Sequence, residues 1–313
     1  MSSPDTDANS TQMTGVLIGI VGATLFGAKG IVIKLAMTVG ATIDQLLAMR
    51  MLFSLPAYLL IGIFSYRRLK TKPNASIWLL ACGLGVLSYH VCARMDFLSL
   101  LYISAQLERL VLFLYPTFVA ILAWIFLGDR LTLRHVISLL LSYVGVFVLF
   151  GRETSHQGPD VILGTGLVLI AAVLFAIVVV ASKKTIRIMG AALFTSVSMG
   201  AASFTILSQA AFNAVSDITP AYTPAILLSG LALAGFCTVI PSLLISEAIS
   251  RLGPGKASAI SGIGPVSTAL LAVVILHEPF GWPHALALVM TMTGIAILSG
   301  WNPLLTFSKR SSV

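Results

Sequence analysis

Ten long apolar runs, separated by short stretches carrying charged, Pro, Gly or Ser residues, dominate this 313-residue chain. They cover residues 14–37, 43–66, 77–100, 104–127, 135–150, 163–182, 191–212, 222–249, 257–276 and 282–301. A helix needs ~20 mostly apolar residues to cross a bilayer core. No water is available there to satisfy the backbone, so only helices and closed barrels cross it. Barrel strands alternate apolar and polar positions, and these runs are continuous. The chain is therefore expected to be an all-α integral membrane protein of ten transmembrane helices. Composition agrees, with 58% hydrophobic and 10% charged residues against roughly 25% charged in an average soluble domain. Cys82, Cys92 and Cys237 all lie inside apolar runs and show no metal-ligand spacing.

Basic residues set the orientation, because short cytoplasmic loops collect Lys and Arg. With the N-terminus inside, the inside segments hold Arg67, Arg68, Lys70, Lys72, Arg130, Arg134, Lys183, Lys184, Arg187, Arg251, Lys256, Lys309 and Arg310. The outside loops hold only Arg152. This asymmetry places both termini in the cytoplasm, in the inner (cell) membrane. It also accounts for the formal charge of +8 as topology, with the lipid bilayer as partner and no nucleic acid. Residues 1–13 read as a polar cytoplasmic tail without the basic flank of a secretory signal.

One spacing recurs along the chain. Ala23, Leu25 and Phe26 reappear as Ala172, Leu174 and Phe175, a shift of 149 residues. The same shift relates Pro116 to Pro265, Asp129 to Glu278, Gly145 to Gly294, Leu149 to Leu298 and Gly151 to Gly300. The expected organisation is two copies of a five-helix unit at 14–151 and 163–301. An outer linker at 152–162 joins them, and a cytoplasmic tail follows at 302–313. Five is odd, so the second copy enters the membrane inverted. Inverted repeats are the architecture of alternating-access carriers, whose sites lie at interrupted helices near the midplane. Pro116 and Pro265 sit at the centres of spans four and nine and each removes a backbone donor. They mark that site, the plainer alternative being kinks that serve packing.

These features resemble the EamA family of the drug/metabolite transporter superfamily across nearly the whole chain. The resemblance rests on Phe26-Gly27 with Lys34, on Arg50-Met51-Leu52-Phe53, on Pro116 through Leu127-Gly128-Asp129, and on Pro265 through Leu276-His277-Glu278. Phe26 stands where the family usually has Trp, and His277 where it usually has Gly. The resemblance implies ten helices in two inverted repeats and gradient-linked movement of small metabolites, often outward. It implies no cofactor beyond a proton or other ion gradient, and a chain working as monomer or homodimer on a small-molecule cargo.

Charges inside a membrane are costly and mark function unless they reach the interface. Lys29, Lys34, Arg50, Arg94 and Arg109 lie in or at the ends of spans, with Asp96, Glu108 and Glu247. Most belong to the outer half of the first repeat, which suggests a vestibule opening outward with its floor near Pro116 and Pro265. Four cations (Lys29, Arg50, Arg94, Arg109) against Asp96 and Glu108 leave two positive charges, matching a cargo with an anionic group held by Lys29 and Arg50. The alternative is internal pairing, for instance Glu108 with Arg50 and Asp96 with Arg94. Glu108 and His90 are the candidates for proton coupling. Phe26, Tyr89, Tyr115 and Trp124 lie around the expected cavity, Phe26 and Tyr115 being the aromatic site candidates beside Arg109. No nucleophile–base or metal set converges, so no enzyme is expected. The expected function is export of an amino acid or organic anion. A lipid-linked sugar flippase and a cationic drug or amine exporter are the alternatives.

Overall fold

The computed structural model describes residues 4–69, 72–128, 132–215, 221–252, 260 and 262–298. Lys70, Asp129, Arg130, Lys256, Gly300, Trp301, Lys309, Arg310 and the tail at 302–313 lie outside the described residues. Among the described residues every regular element is helical. The first half holds α1 (Pro4–Gly27), α2 (Lys29–Thr38), α3 (Ile43–Arg67), α4 (Ala75–Gly85), a π-helical segment (Val86–Cys92), α5 (Ala93–Ser99), α6 (Ala105–Leu112), α7 (Tyr115–Leu127) and α8 (Leu133–Gln157). The second holds α9 (Asp160–Met189), α10 (Ala191–Val215), α11 (Pro224–Ala234), a second π-helical segment (Gly235–Val239), α12 (Ile240–Leu252), α13 (Ile263–Leu276) and α14 (Trp282–Leu298).

Among the described residues, eight stretches are long and apolar enough to cross a membrane: Met13–Thr38, Ile43–Arg67, Ala75–Ser99, Ala105–Phe126, Val136–Gln157, Asp160–Met189, Ala191–Ala214 and Pro224–Leu252. The protein is an integral multi-pass membrane protein. The expected span at 257–276 is described only from Ile263 within its helix α13, a shorter apolar helix of 14 residues. The tenth is described as the 17 residues of α14.

Local sequence explains the helix ends. Thr42 and Gln45 form a reciprocal capping box on α3. Asn74, Ser104 and Thr223 cap α4, α6 and α11 through their side-chain oxygens. At two expected boundaries the helices run on. The polar tail at 1–13 is helical from Pro4 onward, proline being well suited to a first turn that needs no donor. Within the linker expected at 152–162, α8 continues to Gln157 and α9 starts at Asp160. There Thr154 and Ser155 return their hydroxyls to the carbonyls of Phe150 and Gly151, so polar residues are accommodated within the helix.

The helices pack as α3 on α10, α8 on α14 and α1 on α12. Small residues permit the close approach, as in membrane bundles generally. A β-carbon on Gly145 would lie 2.7 Å from the Ala287 carbonyl, and one on Gly294 would lie 2.7 Å from the Ser138 carbonyl. Both residues of one contact are displaced by 149 from those of the other. The two π-helical segments likewise begin at Val86 and Gly235. A buried cluster containing Ile31, Ile33, Leu46, Leu47, Met51 and Phe97 joins α2, α3 and α5 and supports the polar groups beside it.

Candidate functional site

Two helix interruptions and the start of a third helix meet in the bundle. The first span breaks at Ala28, between α1 and α2. The fourth breaks at Phe113 and Leu114, just before Pro116, and α13 begins at Ile263, just before Pro265. Both prolines thus occupy first-turn positions, where a missing donor is harmless. The Thr268 hydroxyl lies 2.8 Å from the Gly27 carbonyl and 3.0 Å from the Gly264 carbonyl, its proton shared between them. A β-carbon on Gly264 would meet the Phe113 ring at 3.4 Å and an Arg109 terminal nitrogen at 3.6 Å. Neither Pro116 nor Pro265 lines the adjoining cavity; each lies in the first turn of its helix.

That cavity encloses about 370 Å³. Phe26, Lys29, Arg50, Tyr89, Asp96, Arg109, Phe113, Tyr115 and Phe175 are among its walls. Tyr115 meets Phe175 edge to face at a centroid distance of 5.1 Å, so Phe26 and the residue 149 positions later both face it. Mostly apolar walls with a few convergent polar groups are the usual form of a small-molecule site.

Charge is concentrated at one side. Lys29, the first residue of α2, is ion-paired with Asp96 of α5, and its ammonium lies 3.6 Å from Glu108 Oε1. Glu108 and Arg109 are consecutive on α6, so they point about 100° apart. Glu108, 1% exposed, turns toward α2, while Arg109 reaches the cavity. One turn after Arg109 is Phe113, with the guanidinium 5.4 Å from its ring centroid. Arg109 makes no ion pair among the described residues, and its Nε is buried without a hydrogen-bond partner. Arg50 Nε donates to Thr238 Oγ1 at 3.1 Å. Thr238 lies in the second π-helical segment and in turn donates to the Leu233 carbonyl at 2.8 Å, satisfying an acceptor in the widened turn. The fully buried Phe97 ring lies beneath both cations, 5.6 Å from the Arg50 guanidinium and 6.0 Å from the Lys29 ammonium.

Several expectations change. The suggested pairs Glu108–Arg50 and Asp96–Arg94 do not form; Arg94 pairs with Asp44 at the start of α3. Arg94 therefore leaves the local count, and Lys29, Arg50 and Arg109 against Asp96 and Glu108 leave one positive charge instead of two. Lys29 is already engaged, whereas Arg50 and Arg109 make no ion pair among the described residues, and Arg109 alone of the two has a buried Nε without a hydrogen-bond partner. At the end expected to open as a vestibule, two carboxylates join neighbouring segments. Glu278 accepts from Lys34 Nζ at 3.2 Å, from the Ala105 backbone at 2.9 Å and from Gln106 Nε2 at 3.2 Å. Glu153 accepts from both the backbone and the hydroxyl of Ser104. Two carboxylates at the positive N-terminus of α6 are favourably placed. The cavity instead reaches Ala171, Phe175 and Ile245. His90 stands apart, its ring nitrogens 3.0 Å from Thr205 Oγ1 and 3.1 Å from Gln209 Oε1. Trp124 is half exposed and lines no part of the cavity. Glu247 pairs with Arg251 on an exposed helix face.

Sequence reading missed Phe175, Phe113, Asp44 and Thr238. The repeat spacing from Phe26 points to Phe175, and the one-turn spacing from Arg109 points to Phe113. Nothing local marks the other two.

The architecture has known counterparts. A solved crystal structure superposes with a TM-score of 0.62 over 96% of this chain and 99% of that one, at 20% identity, which shows a shared fold. The uncharacterized transporter YcbK of Bacillus subtilis is 28% identical over 273 residues, covering 85% of this chain and 86% of that protein. An uncharacterized transporter of Clostridium kluyveri is 23% identical over 293 residues, covering 90% and 92%. The profile of the EamA-like transporter family matches twice, at residues 13–151 and 162–300. With both matches together covering most of its length, this membrane protein belongs to the EamA-like transporter family.

Proposed function

We propose that the chain is a secondary-active, alternating-access carrier that exports a small metabolite bearing an anionic group, such as an amino acid or organic anion. Its architecture is ten helices in two inverted repeats, 14–151 and 163–301, with both termini in the cytoplasm of the cell membrane. The double family match, the 149-residue spacing of the glycine contacts and the spacing of the π-helical segments support that reading. The observation that carries the site is Arg109: buried, without an ion-pair partner among the described residues, and facing an aromatic cavity. A buried unpaired guanidinium is costly, and an anionic cargo supplies what it lacks. Arg50 is the second anchor, and Phe26, Tyr115 and Phe175 hold the cargo's apolar part. Pro116 and Pro265 start the helices α7 and α13 beside it.

Coupling falls to Glu108. It shares Lys29 with Asp96, so a proton on Glu108 balances the cluster at zero charge, and its loss leaves one negative charge close to the cargo's anion. His90 is the weaker candidate because both ring nitrogens have partners. The test is a thermal-shift screen of purified protein against carboxylates and amines. A ligand of the folded form raises the midpoint. Carboxylates are expected to stabilise the protein, and Arg109→Gln to abolish the effect. Stabilisation by amines alone, lost in Glu108→Gln, favours the amine-exporter reading and overturns this one.

A further inference from the structure

A second recess lies on the outside of the helix bundle. It is a groove of about 660 Å³ between α7 and α9. Leu122, Phe126, Ile177, Val180 and Ala181 form its walls, and Lys183, Lys184 and Arg187 stand at its rim. It shares no lining residue with the transport cavity. The three cations are exposed, and no carboxylate among the described residues lies within 4.0 Å of them. Phe126 and Ile177 are exposed as well, so the groove opens to whatever surrounds the bundle.

Topology alone accounts for basic residues at this end of α9. It does not account for an apolar channel running along the helices beneath them. At the repeat-equivalent positions on α2, Lys183 corresponds to Lys34, but Lys184 and Arg187 correspond to Leu35 and Thr38. The extra pair is therefore no requirement of the repeat. Lys34 is ion-paired with Glu278, so the argument rests on Lys184 and Arg187, not on Lys183.

Adjacent Lys and Arg offer point-charge and forked donors to a phosphate, and the walls offer only hydrocarbon. An occupant needs an anionic head and an apolar tail, with the head at the membrane surface. We propose that the α7–α9 groove is a binding site for one anionic glycerophospholipid, its phosphate held by Lys184 and Arg187 and one acyl chain lying along Ile177, Val180 and Ala181. Basic pockets between membrane helices are suited to such headgroups. The site is defined by groove and charge, and is independent of the cargo and of the orientation proposed above.

Native mass spectrometry of the full chain in detergent tests it, with dioleoyl phosphatidylglycerol, dioleoyl phosphatidylcholine and inorganic phosphate each added alone. A single retained phosphatidylglycerol is expected, at least about tenfold favoured over phosphatidylcholine, with no retained inorganic phosphate. The variant K184Q/R187Q, altered only at exposed positions, should lose that preference while keeping its lipid-free melting midpoint. Ala181→Trp leaves every cation in place and fills the groove, and should also lose the lipid. Equal retention of the two lipids, or a preference unchanged in both variants, overturns the proposal. So does retention of inorganic phosphate at the same affinity, because that makes the hydrocarbon walls irrelevant.

Discussion

Lys29 and Asp96, 67 residues apart in sequence, are ion-paired inside the bundle, with Glu108 Oε1 3.6 Å from the same ammonium. Removing one member of such a set leaves buried charge uncompensated, at a cost of about 3–5 kcal/mol. Lys29→Ala is therefore expected to lower the melting midpoint in detergent sharply, before any question of cargo. Lys29→Met combined with Asp96→Leu should recover at least half of that loss. A Lys29→Ala protein melting like the wild type would show that the cluster is not held as described.

Arg109 and Arg50 should separate cleanly. Arg109→Gln removes a cation that makes no ion pair among the described residues, so binding of the carboxylate found in the screen should weaken at least about tenfold, with a smaller loss of midpoint than in Arg50→Gln. Arg50→Gln also breaks the bond to Thr238 and should lower both. Isothermal titration and thermal melting of the two variants side by side check this.

The Tyr115–Phe175 contact should behave as one unit. Edge-to-face pairs contribute about 0.5–1.5 kcal/mol beyond area burial. Tyr115→Ala and Phe175→Ala are each expected to weaken cargo binding several-fold, and the double variant by less than their sum. Strict additivity in that cycle would mean that the rings contact cargo independently.

His277 carries the one positive φ of a non-glycine among the described residues, 53°, at the end of α13. Gly128, 149 positions earlier, ends α7 at φ 71°. A side chain in this region costs about 1 kcal/mol or more. His277→Gly is expected to stabilise the protein by about 1 kcal/mol and raise its melting midpoint, with transport unchanged.

Gly145→Ala and Gly294→Ala each drive a β-carbon to 2.7 Å from a carbonyl of the facing helix. Overpacking of this kind costs about 1–3 kcal/mol. The two variants should lose stability by similar amounts, because α8 and α14 present the same contact to one another. A large difference between them would argue against equivalent halves.

The fold was readable because hydropathy and helix breakers act within one segment. Run lengths place the crossings, Pro116 and Pro265 fall where helices start, and the 149-residue spacing pairs Gly145 with Gly294, which make equivalent close contacts to the facing helix. The site was only partly readable. Hydropathy does not report how a helix is rotated about its axis, and a rotation of about 100° separates Glu108 facing Lys29 from Arg109 facing the cavity. Partners such as Asp44 for Arg94, or Thr238 for Arg50, are 50 and 188 residues away. Nothing in their local sequence distinguishes them from capping or surface residues. Trp124 shows the converse, an aromatic in the expected span whose helix turns it outward.

The most direct test is counterflow in proteoliposomes. Vesicles holding the purified protein are preloaded with unlabelled carboxylates, and uptake from a mixture of isotope-labelled amino acids, organic acids and amines is followed by mass spectrometry. The account predicts saturable, trans-stimulated accumulation of one or a few compounds with an anionic group, present in wild type and lost in Arg109→Gln. Accumulation of compounds lacking an anionic group, or accumulation unchanged in Arg109→Gln, would contradict it.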